Sequence, residues 1–377
     1  MDIEVKPTNW VLSNRIGYNN YIYDTFHPRK YEKKAVKEEG CKCDKGSCDI
    51  HINTISLFPQ QRIIKDYMQF DSPYRGILLY HELGSGKSAA SIAAAEGYIN
   101  KKKIVIMTPA SLSQNYENEL MKISTIGLNL KKSWTQIKIQ KTNKQMLKEL
   151  EKYAITDKIV KKDGLVWVPL YDNDIAGAEI VIEQTKYSKI PAKYKDIVDS
   201  TIGHIIRNRY TFINYNGLTA KLIKELGKNP FDDTFVIIDE IHNFISRIVN
   251  GSRLARSIYN HMMAAKNIKM VLLSGTPIIN QPYEIATLIN LIRGPMNVYE
   301  IPLLKASETP NKKDIMDKLI ASNLYKYVDE VYFNKSSVFI VLLPSNFCRL
   351  TNNSSEIKKE KGELDAKKIN ENIVNVA

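Results

Sequence analysis

The sequence predicts an α/β fold: a mostly parallel sheet with helices on both faces, preceded by an irregular leader and interrupted by an inserted subdomain. Three observations predict it. Between Leu57 and about Arg293, short β-rich apolar runs alternate with helical patterns, which is how a parallel sheet with crossover helices reads. A glycine-containing loop, His81–Ser88 (HELGSGKS), stands directly between an apolar run and a helix-prone stretch. Finally, the adjacent carboxylates Asp239 and Glu240 end another apolar run, at the strand edge where open α/β sheets place their ligands.

The strands expected for the sheet are Gly76–Tyr80 (GILLY), Ile104–Met107 (IVIM), Phe212–Tyr215, Phe235–Ile238 (FVII) and Met270–Leu273 (MVLL). Each is short and nearly all apolar, as a strand covered on both faces should be. From about 122 to 209 the rhythm breaks into Lys-rich segments, the apolar LVWVPL and an amphipathic helix near Tyr194–Arg207, predicting the insertion. The expected division is a leader over 1–55, a core over 56–295 containing the insertion at about 122–209, and a linker over 296–377 leading into a second domain that is absent or truncated. The leader lacks periodicity and is expected to be held by local contacts. The tail from Asn352, rich in Lys, Glu and Asn, is expected to be solvated or disordered.

Composition narrows the class. Hydrophobic residues are 44% and charged residues 25% of the 377 residues, which fits a globular chain and excludes a largely disordered one. Lys and Arg number 54 against 41 Asp and Glu, an excess that points to a polyanionic partner such as nucleic acid. The polar amino terminus is unlike a secretory signal, and no apolar run approaches the ~20 residues of a membrane span. An intracellular, soluble protein is expected.

The chemistry begins at His81–Ser88. A phosphate chain needs several converging backbone N–H donors, and glycine lets the backbone approach closely. Gly84 and Gly86 fill that need, while His81, Glu82, Leu83 and Ser85 complete the nucleotide loop. The helix starting near Lys87 adds its positive end, the Lys87 ammonium reaches the β- and γ-phosphates, and the Ser88 hydroxyl can ligate Mg²⁺. The loop departs from G-x-x-x-x-G-K-[ST] at its first position, where His81 replaces Gly. Asp239 is read as the second Mg²⁺ ligand, acting through water, and Glu240 as the base that orients and deprotonates the attacking water. His242 is assigned the relay of nucleotide state to neighbouring elements. With Lys87, these three make the predicted catalytic set.

Three further stretches fall in order around this pair. In LFPQQ, Leu57–Gln61, the Gln61 amide could read adenine, with Gln60 a weaker choice and a polar helix cap the alternative. In MTPASLSQNYENEL, Met107–Leu120, Thr108, Pro109 and Ser111 could face the phosphates of a nucleic-acid strand, a capped strand-to-helix turn being the alternative. In LLSGTPIINQPYEIATLINLI, Leu272–Ile292, Ser274, Gly275 and Thr276 end a core strand close to the carboxylates.

In this order, these elements resemble helicase motifs Q, I, Ia, II and III. SGTPIINQPYE and FINYNGL are similar to the Swi2/Snf2-type branch of superfamily 2, over about Leu57–Arg293. LLYHELGSGKS with DEIHN, through His81 and Asn243, is most similar to the helicase-like ATPases of nucleocytoplasmic large DNA viruses. That group includes poxvirus nucleoside triphosphatase I and the small subunit of the viral early transcription factor. The resemblance implies a RecA-like P-loop domain, ATP with Mg²⁺ as cofactors, and ATP-driven work on DNA, more than RNA, during viral transcription or genome handling. Its setting would be host cytoplasm or virion.

The same resemblance implies a second RecA-like domain carrying a Q-x-x-G-R-x-x-R arginine-finger segment. No such segment occurs, and Arg349 stands alone in LPSNFCRL. The chain is therefore expected to be the front half of a longer motor, partnered by a second-lobe or transcription-complex protein. The alternative is a catalytically silent ATP-binding scaffold, and a nucleotide kinase is disfavoured because the Ia and III segments would have no task. In the leader, Cys41, Cys43, Cys48 and His51 (C-x-C-x4-C-x2-H) could close a tetrahedral Zn²⁺ site, free cysteines being the alternative. Cys348 is expected to pack as a small apolar residue.

Overall fold

The computed structural model describes residues 5–31, 57–81, 84, 86–98, 101–123, 134–140, 144–151, 160, 164–169, 179–214, 229–277, 280–302, 311–334 and 336–360. In chain order, strand β1 (Trp10–Val11), helices α1 (Tyr18–Thr25) and α2 (Pro59–Tyr67), and β2 (Gly76–Tyr80) lead to α3 (Lys87–Glu96), β3 (Lys103–Thr108) and α4 (Ser113–Ile123). Next come β4 (Trp134–Lys138), α5 (Lys144–Glu151), β5 (Leu165–Val168), β6 (Glu179–Thr185) and α6 (Ala192–Arg209). The chain then returns through β7 (Tyr210–Asn214), β8 (Thr234–Ile238), α7 (Ile241–Val249), α8 (Arg253–Ala264), β9 (Lys269–Ser274) and α9 (Glu284–Arg293). It ends with β10 (Val298–Pro302), α10 (Lys312–Ala321), β11 (Val328–Phe333), β12 (Ser337–Leu342), β13 (Phe347–Arg349) and β14 (Glu356–Lys359).

The chain separates into two compact units, one comprising Lys33–Lys65 and Gly76–Ile289 and the other Met1–Glu32, Asp66–Arg75 and Asn290–Ala377. The first unit is built on a five-stranded parallel sheet in the order β2-β9-β8-β3-β7. All five strands overlap those read from the apolar runs. The central strand β8 and its neighbour β9 are buried at every position, because sheet strands with crossover helices on both faces have no solvated side. Register sets the site: Tyr80 pairs with Ser274, Leu272 with Ile238, and Ile238 with Met107. The carboxyl ends of β2, β9, β8 and β3 therefore lie along one edge.

Between α4 and β7 the unit carries a separate antiparallel sheet, ordered β5-β4-β6. Ile137, Ile139, Met146, Leu150, Val160, Val166 and Val168 form its own apolar cluster. A glycine is required at 164: φ is +75°, and a Cβ there would stand 2.4 Å from the Ile139 carbonyl oxygen. α6 covers the helix expected near Tyr194–Arg207.

The second unit corrects two expectations. The leader was expected to rest on local contacts, yet Trp10 and Val11 pair with Ile357 and Glu356 of β14. Trp10 also meets Phe26 and Tyr74 at ring-centroid distances of 6.4 and 5.6 Å. The tail from Asn352 was expected to be solvated, yet β14 runs between β1 and β13 and Ile357 is fully buried. Its polar neighbours hid it, because a strand of four residues with one inward side chain leaves almost no periodicity. A further antiparallel sheet, β10-β12-β11, packs with α10 through Ile315, Leu319, Val328, Val331, Val338 and Ile340. Arg349 is spent inside this unit, donating to the carbonyls of Val328, Asp329 and Ser354, and Cys348 is buried as an apolar residue.

Truncating Ile357 to Ala should cost about 2–4 kcal/mol of stability, whereas Ala at the exposed Lys358 should change it by less than ~0.5 kcal/mol. Urea unfolding of the two variants checks this; equal effects would show that β14 is not a core strand.

Candidate functional site

The loop after β2 is shaped by its glycines and by a glutamine beneath it. Gly84 and Gly86 have φ of +82° and +79°, a left-handed backbone that costs other residues energy. At Gly86 an added Cβ would lie 2.5 Å from the Gln61 side-chain nitrogen. That nitrogen donates to the Gly86 carbonyl at 3.2 Å, while Gln61 Oε1 accepts from the Phe58 backbone N–H at 3.0 Å. Gln61 is 5% exposed. Each end of its amide thus makes one bond, capping α2 and bracing the loop, and keeps one N–H and one lone pair. α3 begins at Lys87, and the Lys87 ammonium donates to the His81 carbonyl at 2.5 Å.

Asp239 follows β8, and its N–H extends the ladder to Met107 O at 2.8 Å. Burial, and then the Glu240 charge, raise its carboxyl from the ordinary 3.8 to about 6, opposed by the Glu240 N–H and by the Lys87 charge. Lys87 and Asp239, far apart in sequence, thus feel one another at this sheet edge. Glu240 adopts a left-handed backbone, φ 49° and ψ 50°, at the start of α7. Such a conformation in a residue with a side chain costs on the order of 1 kcal/mol and is typical of positions where side-chain aim matters more than backbone ease.

His242 gathers the neighbouring groups. Its Nδ1 lies 2.8 Å from Ser274 Oγ, 3.3 Å from Glu240 Oε2 and 3.5 Å from Thr276 Oγ1. The Thr276 N–H donates to Ser274 Oγ at 3.0 Å, and Ser274 is fully buried. Gly275 faces the loop: a Cβ there would stand 3.8 Å from Lys87 Nζ and 3.7 Å from the His81 oxygen. Ser274 and Thr276 are thus brought to His242, whose Nδ1 also reaches Glu240, while Gly275 stands by Lys87 and the His81 carbonyl.

The structure separates the three residues proposed for nucleic acid. Thr108 and Pro109 are buried, and the Thr108 hydroxyl is 3.5 Å from Asn214 Oδ1. Ser111 alone is exposed. Glu82, Leu83 and Ser85, and the cysteine set Cys41, Cys43, Cys48 and His51, lie outside the described residues. Among the described residues no cluster of His, Cys, Asp and Glu could hold a metal ion by itself. The Ser88 hydroxyl and Asp239 carboxylate nevertheless supply the hard oxygen donors that Mg²⁺ takes when phosphate oxygens and water complete its shell. The raised Asp239 carboxyl is a group that a cation would relieve of its burial cost.

Sequence reading missed two supports. Asn280 Nδ2 donates to Ser246 Oγ at 2.6 Å and to the buried Glu284 at 3.1 Å, tying the segment after Thr276 to α7. The NQPYE text contained both partners, but nothing in it indicated Ser246. The other, Tyr116, reads in sequence only as the apolar face of a helix.

The SNF2-related domain family matches residues 58–300 of this chain. A protein of Acanthamoeba polyphaga mimivirus provisionally named an ATP-dependent RNA helicase is 28% identical over 289 residues, 74% of this chain and 40% of that protein. A termination factor homologue of African swine fever virus is 25% identical over 256 residues, 65% of this chain and 27% of that protein. A Sulfolobus solfataricus SWI2/SNF2 ATPase core solved with double-stranded DNA aligns over 63% of this chain and 36% of its own, at 15% identity and a TM-score of 0.33. The chain spans 40% or less of the length of these relatives.

In the metal-free protein, the raised Asp239 carboxyl contributes stability that is fully present below pH 3.8 and lost as pH rises through about 6. The Asp239→Asn protein lacks that titration. Compared by urea unfolding in chelator, it should gain on the parent by on the order of 2 kcal/mol as pH crosses this window. A difference independent of pH would contradict the burial of this carboxylate.

Proposed function

The chain belongs to the SNF2-related domain family, and on that ground we propose that it is the ATP-binding first motor domain of a superfamily 2 DNA helicase or translocase of viral type, serving transcription or genome handling. The observation that carries the reading is the meeting of Lys87, Asp239 and the Ser274–Thr276 turn at one edge of the parallel sheet.

Gly84, Gly86 and the amino end of α3 bind the phosphate chain through backbone N–H groups, and Lys87 moves from the His81 carbonyl to the β- and γ-phosphates. Ser88 and Asp239 would hold Mg²⁺, which would supply charge neutralisation for the transferred group. Glu240, aimed by its left-handed backbone, orients the attacking water and takes its proton. His242 touches Glu240 on one side and Ser274 and Thr276 on the other. It thereby ties the base to the segment after β9, so a change at the γ-phosphate reaches α7 and that segment together.

Nucleic acid is the proposed track, engaged largely through backbone phosphates near the exposed Ser111, so affinity should fall with salt. DNA is proposed as its kind, and host cytoplasm or virion as the setting; among the described residues no helix is long and apolar enough to cross a membrane. Arginine fingers supplied by a second lobe are worth about 10³–10⁵ in turnover in comparable enzymes. Residues 1–377 assayed without a second lobe should therefore bind ATP with Mg²⁺ and hydrolyse it slowly.

Equilibrium binding and single-turnover hydrolysis test the assignment. Lys87→Ala should weaken ATP binding by about tenfold or more, the loss of a charge-assisted phosphate contact. Glu240→Gln should leave binding within a few-fold and slow hydrolysis by about 10²–10⁴. A parent chain that binds ATP but shows no hydrolysis at all, even with a second-lobe protein and DNA, would favour the silent scaffold instead.

A further inference from the structure

Behind the phosphate loop, α3 and α4 are joined by a hydrogen-bonded line of side chains. Tyr116 of α4 is fully buried, with its hydroxyl 2.6 Å from Ser91 Oγ of α3. Ser91 Oγ donates to the backbone carbonyl of Ser88 at 2.8 Å. A serine hydroxyl has one hydrogen, and here it is given to Ser88, so in the Tyr116–Ser91 pair the tyrosine must donate. The direction of the line is thereby fixed: Tyr116 to Ser91 to the carbonyl of Ser88.

Both ends of this line matter. Ser88 is the hydroxyl residue assigned to Mg²⁺. Tyr116 lies on the helix that follows β3 and the turn Ala110–Leu112, where Ser111 is exposed. Burial first, and then the negative charge of Asp239, raise the Tyr116 phenol well above its ordinary value. Burial keeps the phenol protonated, so it serves as a fixed donor. Ser91 is itself fully buried, and a shift of α4 along its axis cannot be absorbed by water; it must either move Ser91 and the first turn of α3 or break the line.

We propose that Tyr116 is a positioning residue that couples engagement of nucleic acid at the start of α4 to the magnesium-binding turn of α3 through Ser91. The inference rests on the motor-domain reading above. It assigns to the Tyr116 hydroxyl no contact with substrate, only the placement of Ser88. Nucleic acid bound at the exposed end of α4 changes the position of Tyr116, and Ser88 follows because its carbonyl is the last acceptor on the line. By reciprocity, ATP with Mg²⁺ strengthens nucleic-acid binding by the same factor.

The test is a linkage measurement on the full chain. Affinity for a fluorescent ATP analogue is titrated with Mg²⁺, in the absence and presence of a short DNA duplex, for the parent, Tyr116→Phe, Ser91→Ala and the double variant. The parent should show coupling of about fivefold or more. Tyr116→Phe, which keeps the ring and its packing, should retain ATP affinity without DNA within about twofold while its coupling factor falls toward one. Ser91→Ala should do the same, and the double variant should be no worse than either single one, because one line is cut in all three. A purely structural role would instead lower stability and basal affinity together and leave the ratio intact. Equal coupling in parent and Tyr116→Phe overturns the inference, as does a parent that binds ATP with Mg²⁺ but shows no response to DNA. A parent that binds no ATP overturns the motor-domain reading itself, and the coupling with it.

Discussion

The structure turns on keeping Asp239 as a carboxylate in a place that resists charge. Burial raises its carboxyl, the neighbouring Glu240 raises it further, and the Lys87 ammonium with one backbone N–H pulls it back. Opposite charges this close in a low-dielectric setting interact far more strongly than in water. That balance works only if the ends of β2 and β8 are held side by side. They are not direct neighbours in the sheet: β9 lies between them. β9 is therefore both spacer and contributor, bringing Gly275 to Lys87 on one side and Ser274 to His242 on the other.

Around that charge balance the protein fixes geometry with small polar groups, of which Gln61 and Ser274 are buried. Ser274 serves His242 and the Thr276 N–H. Asn280 serves Ser246 and Glu284, and Gln61 serves Phe58 and Gly86. Each makes a bond to a residue 25 or more positions away in the chain.

The parts of the fold legible in sequence are those whose pattern repeats over several residues. The five parallel strands are near-continuous apolar runs, and their order along the chain, broken by helical periods, gave away the doubly covered sheet. The loop glycines were legible because only glycine tolerates the backbone at 84 and 86. β1 and β14 were not. Trp10–Val11 is two residues long, and β14 has a single inward side chain among lysines and glutamate. Such strands exist because a distant partner completes them, and no local window contains that partner. Arg349 likewise looked like a stray charge until its three carbonyl partners came into view.

The same division runs through the site. Sequence alone determined which groups are present: an ammonium at 87, hydroxyls at 88 and 274, carboxylates at 239 and 240, and glycines where the backbone must turn left-handed. Chemistry at fixed spacing is a property of the chain and survives without coordinates. Tertiary structure alone decided what each group touches. It withdrew Thr108 and Pro109 from solvent, bonded the Gln61 amide to Phe58 and Gly86, and joined Tyr116 through Ser91 to Ser88. Hydrogen bonds form between atoms a few ångströms apart, and residues 25 positions apart, such as 91 and 116, reach that distance only after the sheet has set the helices against one another.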